Sequence, residues 1–235
     1  MNGSTCVGAA YRCAREIEYA YRFTEPSMSD EMTYQGEPLQ IQTLTGSAIR
    51  PWLDALAELR LGVFSTFPYL YHAPKAEEFE YLTHYVESPS AAIFLVREGD
   101  RAVGMSTVMP MTEAEAEFQV PFREAGWTLS SLAYFGESIL LPEYRGRGLG
   151  HAFFERREAY ARGLPGVTHT TFCAVERPAD HPERPEAYQP LDGFWRRRGY
   201  EHHPELAAHF RWRDIGDEAL STKRLSFWIK PLEPA

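Results

Sequence analysis

At 235 residues, with 44% hydrophobic and 14% aromatic content, the chain can bury one sizeable core and is most simply a single globular domain. No apolar run approaches the length of a membrane span, and a formal net charge of −9 opposes long-range attraction to nucleic acid or to an anionic membrane, so neither is expected as a partner. The same charge mildly favours a cationic amine.

Residues 1–37 read as an extension outside the core. They lack the continuous apolar run of a secretory signal, and Glu16 and Glu18 argue against a transit peptide. Ile17, Tyr19, Tyr21 and Phe23 alternate as in a strand, a polar break follows at residues 26–30, and Met28 and Met32 are alternative natural starts. From residue 38 onward the elements follow in order. Leu39–Leu44 alternates as a short strand. Ser47 is placed to cap a helix whose apolar face is Ile49, Trp52, Leu53, Leu56, Leu59 and Val63. A second helix starts near Pro74 and buries Phe79, Leu82 and Val86. Residues 91–96 and 102–109 flank Gly99-Asp100 as a hairpin with a glycine-first tight turn. Residues 112–127 carry Glu113, Glu115 and Glu117 ahead of Phe118, Val120, Phe122 and Trp127, an insertion expected as a solvated loop with core anchors or as a surface for a cationic acceptor.

A strand over residues 134–141 then feeds Pro142-Glu143-Tyr144-Arg145-Gly146-Arg147-Gly148-Leu149-Gly150, after which helical spacing resumes with Leu149, Ala152, Phe153, Tyr160 and Leu164, interrupted by Arg156. Glycines there let the backbone turn with positive φ and bring N–H groups against a ligand, while the following helix start offers unpaired N–H groups and partial positive charge. Arg145 and Arg147 add full charges suited to a pyrophosphate, although such a string is also ordinary turn chemistry. The dinucleotide pattern G-x-G-x-x-G fails, because His151 or Phe153 stands where its third glycine belongs. The P-loop pattern fails too, because no Lys followed by Ser or Thr comes after the glycines.

What fits is R-x-x-G-x-G, with Arg145, Gly148 and Gly150 at its defining positions. This resembles the acyl-CoA-binding motif of the GNAT superfamily of N-acyltransferases. The order of elements from Leu39 to Leu232 is similar to the GNAT fold as well: a strand over residues 167–175, a proline-rich loop over residues 176–190, a short helix over residues 193–198 and a final strand pair complete it. The resemblance implies an α/β domain over residues 38–235, with a mixed, mostly antiparallel central sheet flanked by helices. It implies an enzyme that moves an acetyl group from acetyl-CoA, its co-substrate, to a primary amine, by direct attack in a ternary complex and with no metal. A small-molecule amine is the first expectation for the acceptor and a protein amine the second, and a homodimer is allowed. Two rivals are a catalytically silent CoA-binding sensor and a regulatory domain that holds another pyrophosphate.

The resemblance also implies roles for residues. Backbone N–H groups around Ile139, Leu140 and Leu141 would hold the pantetheine and thioester, while Arg145, Gly146, Arg147, Gly148, Leu149, Gly150 and His151 would grip the pyrophosphate. The family often deprotonates its amine with a carboxylate on the preceding strand, where Glu137 is the only acid; the bland alternative is a solvent-facing strand-end residue. Many members carry a tyrosine as proton donor in a pattern similar to F-Y-x-x-x-G-F, but here Trp195 occupies its place within Phe194-Trp195-Arg196-Arg197-Arg198-Gly199-Tyr200. An indole N–H donates but does not ionise near neutrality, so Tyr188 is the replacement candidate, with Tyr200 behind it.

Other residues read more plainly. Three cysteines, Cys6, Cys13 and Cys173, form no C-x-x-C and leave an odd thiol, which suits a reducing, cytoplasmic compartment. Cys173 shares a strand face with His169, yet a buried strand cysteine is far more often core. His202, His203 and His209 lack the cysteine or carboxylate partners of a zinc site. Arg196, Arg197 and Arg198 could meet a phosphate, though three successive helical positions point in different directions.

Overall fold

The computed structural model describes residues 38–233; the extension and its strand-like alternation lie outside the described residues. The strands are β1 (Leu39–Leu44), β2 (Ala92–Glu98), β3 (Arg101–Pro110), β4 (Leu132–Tyr134), β5 (Ser138–Leu140), β6 (His169–Val175), β7 (Glu201–Trp212) and β8 (Ser221–Pro231). The α-helices are α1 (Leu53–Phe64), α2 (Lys75–Glu87), α3 (Ala116–Glu124), α4 (Leu149–Arg162) and α5 (Asp192–Arg197). The strands form one mixed sheet in the order β1-β2-β3-β4-β6-β8-β7, with β5 paired to β3 off this path. Every pairing is antiparallel except β4 with β6.

Strand alternation splits the core into two layers. Along β2, Ile93 and Leu95 join Leu56, Leu82 and Phe122 of α1, α2 and α3 on one face of the sheet. Ala92, Phe94 and Val96 join Phe153 and Phe154 of α4 on the other. The β2–β3 turn is the two-residue, glycine-first one expected, with Glu98 opposite Arg101 and Gly99 at φ +56°.

Several boundaries differ from the sequence expectation. Ser47 caps nothing: it lies inside a 3-10 helix, Gly46–Trp52, that leads into α1. Pro74 stands just before α2, at its N-cap, with an extended ψ of 141°. In α2 Leu82 and Val86 are buried as expected, but so are Tyr85 and the carboxylate-bearing Glu78, which no apolar periodicity marks. The acidic insertion is no loop through its middle: α3 forms there and is anchored by Phe122, whose ring meets Phe227 at 4.7 Å. The charges that break into the core along α4 are Arg157 and Glu158 rather than Arg156.

Candidate active site

The strand expected over residues 134–141 is interrupted. Met109 pairs with Tyr134 and Ser106 with Ser138, so four steps along one strand match three along its partner. The extra residue is a β-bulge over residues 135–137, which re-aims the side chains it carries. Before the bulge β4 pairs with β6, and Phe135 N–H still donates to Thr171 O at 2.8 Å. After it β5 pairs only with β3 while β6 continues against β8, so the two neighbours part.

The bulge is pinned from both sides. Glu137 N–H donates to Thr107 Oγ1 at 3.1 Å, and Glu137 O accepts from Thr107 N–H at 3.1 Å and from the Arg157 guanidinium at 3.2 Å. Arg157 is 2% exposed and lies over the rings of Phe135 and Phe154 at 4.4 and 4.5 Å, with burial drawing its pKa down to about 10. Gly136 carries the closest approach: a Cβ there would overlap Tyr85 Oη and Thr107 Oγ1.

The Glu137 side chain is buried rather than solvent-facing, only 2% exposed. Its Oε2 accepts from Arg60 of α1, which also pairs with Glu78 of α2 and lies over the Tyr81 ring at 3.9 Å. Its Oε1 is buried without a hydrogen-bond partner among the described residues. Burial pushes the Glu137 carboxyl up to about 7, with Glu78 adding to the rise and Arg60 opposing it. The group faces a cavity of about 630 Å³ bounded by Arg60, Glu78, Tyr81, Phe118, Tyr134 and Trp212 among others. Apart from Glu137 and the insertion's Glu115 and Phe118, sequence reasoning missed this assembly, because its members come from α1, α2, α3 and β7 at unrelated spacings.

On the other side of β5 lies the arginine–glycine loop. Leu141 N–H donates to Val103 O at 3.0 Å and Thr107 N–H to Glu137 O, so alternation turns Ile139 toward β3 too. Ser138 and Leu140 therefore present their backbone groups to the open edge, and Leu140 O accepts from Arg145 Nε at 3.2 Å. Of Ile139, Leu140 and Leu141, only Leu140 thus aims its amide outward, a narrowing that alternation along an antiparallel strand makes general. Gly146 and Gly148 have φ of +76° and +81°, and Gly148 is the N-cap of α4. His151 N–H is taken by Gly148 O at 2.9 Å, which leaves Leu149 and Gly150 as the leading amides of the helix. A Cβ on Gly150 would meet only Phe194, at 3.6 Å, so no protein contact demands a glycine there. The Arg145 and Arg147 side chains fold along their own loop, Arg147 donating to Glu143 O at 2.7 Å.

The remaining candidates scatter. Tyr188 is not among the residues that bound the cavity; its ring is edge-on to Phe67 at 4.7 Å with Arg184 over it at 4.8 Å. Trp195 packs against Phe172 and Trp228, each at 5.1 Å, and Tyr200 is buried with its hydroxyl on Thr170 and Glu158. Cys173 meets Tyr134 Oη at 3.6 Å rather than His169, and burial pushes its thiol up to about 12, so it is no thiolate near neutrality. Arg198 donates to His151 Nδ1 at 3.0 Å. The loop over residues 176–190 is tied down by Arg177, which donates to Asp214 Oδ2 at 2.6 Å and to Tyr69 O at 2.7 Å, fixing Tyr69 in the cavity wall.

The model of the acetyltransferase (GNAT) family matches residues 54–187, which contain the bulge, the loop and α4. The chain belongs to the GNAT acetyltransferase family. Solved GNAT-fold structures agree at the level of the fold. NAA60 of Arabidopsis thaliana, in complex with acetyl-CoA, superposes with a TM-score of 0.54 at 11% identity over 83% of this chain and 98% of that one. An N-acetyltransferase of Staphylococcus aureus gives 0.53 at 11% identity over 83% and 99%. YncA, a putative acetyltransferase of Salmonella typhimurium with its cofactor acetyl-CoA, gives 0.51 at 10% identity over 83% and 96%. No curated protein matches the sequence. No helix among the described residues is long and apolar enough to cross a membrane.

Proposed function

We propose that this GNAT-family acyltransferase moves an acetyl group from acetyl-CoA to a primary amine, with Glu137 as the base. The observation that carries the reading is the position of Glu137: a buried carboxyl titrating near 7, with one oxygen unpartnered, in the bulge where β5 leaves β6. A primary amine is an ammonium near neutrality and attacks only after losing a proton, and a base poised near the working pH removes it most effectively. Acetyl-CoA supplies the activated acyl group. Loop and strand fit it: leading amides of α4 behind two positive-φ glycines suit its phosphates, and the outward amides of Ser138 and Leu140 suit the extended, amide-bearing arm and the oxygen on which charge develops. Among the described residues Arg157 and Thr107 hold the Glu137 backbone, so the carboxylate is delivered from a fixed point. That two neighbours of the same fold are solved with acetyl-CoA supports acetyl-CoA as the co-substrate.

The test is thermal shift with CoA, acetyl-CoA, NAD and ATP, followed by thiol release on adding amines. Stabilisation by CoA species alone with thiol release bears the reading out. Stabilisation with no turnover on any amine moves the protein to the silent-sensor reading, and stabilisation by NAD or ATP to a different pyrophosphate ligand.

A further inference from the structure

Resting on the acyl-transfer reading, the cavity narrows the acceptor. At its buried end stands Glu137 with Oε1 unpartnered, beside Glu78 and a single guanidinium, Arg60, that both carboxylates already engage. At its exposed end one face of α2 contributes Glu77 and Glu80, and the start of α3 contributes Glu115, half-buried and with its carboxyl pushed up by burial. His84 is the other cation-forming side chain of the lining. Much of the remaining wall is aromatic, including Tyr81, Phe118, Phe210 and Trp212. Aromatic faces accept an apolar chain and attract cations. A carboxylate on the acceptor would meet carboxylates at either end and no uncommitted cation deep in the cavity, whereas a second ammonium would find carboxylates at the exposed end.

We propose that the acceptor is a carboxylate-free amine with a second positive charge on an apolar body, an alkyl diamine or its longer polyamine homologues. One amino group lies at Glu137 and the other at Glu80 and Glu115.

Three chains of matched length separate this from other amines: cadaverine, pentylamine and δ-aminovalerate. Each is titrated by calorimetry into CoA-saturated protein and assayed by thiol release with acetyl-CoA. Cadaverine should exceed pentylamine in kcat/KM by roughly tenfold, about one partly screened ion pair, and δ-aminovalerate by more. The Glu80→Gln, Glu115→Gln double variant should close the gap between cadaverine and pentylamine, through a rise in KM for cadaverine. Equal use of δ-aminovalerate, or acetylation of a peptide amine with cadaverine refused, overturns the proposal while leaving acyl transfer standing. Binding of cadaverine without turnover of any amine removes acyl transfer and keeps the ligand class; failure of cadaverine to bind CoA-loaded protein overturns the class.

Discussion

At its Leu141 end the interrupted strand runs into a loop shaped by its backbone; at its Gly136 end it opens on a cavity lined by side chains. The loop is exposed, positive and contiguous, its geometry set by Gly146 and Gly148 at positive φ. The cavity is buried at its inner end, acidic and aromatic, and assembled from helices and strands up to about 165 residues apart in sequence, Arg60 to Leu225. A backbone site tolerates drift in most side chains but not in its glycines, while a side-chain site depends on every charge that surrounds Glu137. The two ends should therefore fail separately when mutated: the loop in acetyl-CoA affinity, the cavity in turnover and its pH dependence.

The largest expected effect is at the cavity end. Glu137→Gln keeps size and hydrogen bonding but removes proton acceptance, so kcat should fall roughly 10²-fold or more with acetyl-CoA affinity nearly unchanged. Steady-state kinetics beside calorimetry with acetyl-CoA check both halves. Wild-type kcat in a folded Glu137→Gln protein would remove the base assignment.

At the loop end Gly150 is the better probe than Gly148. With φ at +81° a side chain at Gly148 strains the start of α4 whatever the ligand does, whereas at Gly150 the protein has room for one. Gly150→Glu puts a carboxylate beside the leading amides and should weaken acetyl-CoA binding by about tenfold or more while the melting temperature of the free protein stays near wild type. Unchanged affinity would mean that phosphates bind elsewhere.

How far the sequence revealed these two ends follows from their materials. The loop was legible because its glycines, arginines and helix start are consecutive, and the hairpin at Gly99-Asp100 was legible for the same reason. Glu137 could be named because it is the only acid on the strand before the loop, but its burial could not, since that depends on Arg60 and Glu78, which sit in helical stretches of ordinary charged appearance. The reasons for Tyr85 and Gly136 are likewise invisible in isolation: the glycine is required because the Tyr85 hydroxyl of α2 and the Thr107 hydroxyl of β3 press against it. The bulge contains Gly136, and a glycine within a strand marks such an irregularity, but a one-residue excess is defined only against β3, which the strand's own residues do not reveal.

A smaller, signed effect tests the charges around Glu137. The acid limb of kcat/KM should fall near pH 7, since the carboxyl is raised by burial to about that value and is the base only when ionised. Arg60 opposes the rise and Glu78 adds to it. Arg60→Gln should thus move the limb to higher pH by roughly one unit, and Glu78→Gln should move it to lower pH. Shifts in the same direction for both, or none, would detach the limb from Glu137.

The smallest effect is expected at Tyr188, and it decides whether the loop over residues 176–190 takes part in chemistry. Burial raises the Tyr188 hydroxyl, so it holds its proton through neutrality and could in principle give one to a thiolate. Its ring, however, packs on Phe67 beneath Arg184 and does not bound the cavity that contains Glu137. Proton transfer needs hydrogen-bond reach to the departing sulfur, directly or through one water, and the aromatic packing of Tyr188 holds it outside the cavity wall. Tyr188→Phe, which keeps that packing, should therefore leave kcat within about twofold and retain any high-pH limb. Trp195→Phe should lower the melting temperature more than it lowers kcat, because the indole fills space between Phe172 and Trp228. A large loss of kcat in Tyr188→Phe together with loss of the high-pH limb would instead bring that loop into the reaction, and the contrast drawn here between backbone end and side-chain end would need a third, proton-donating part.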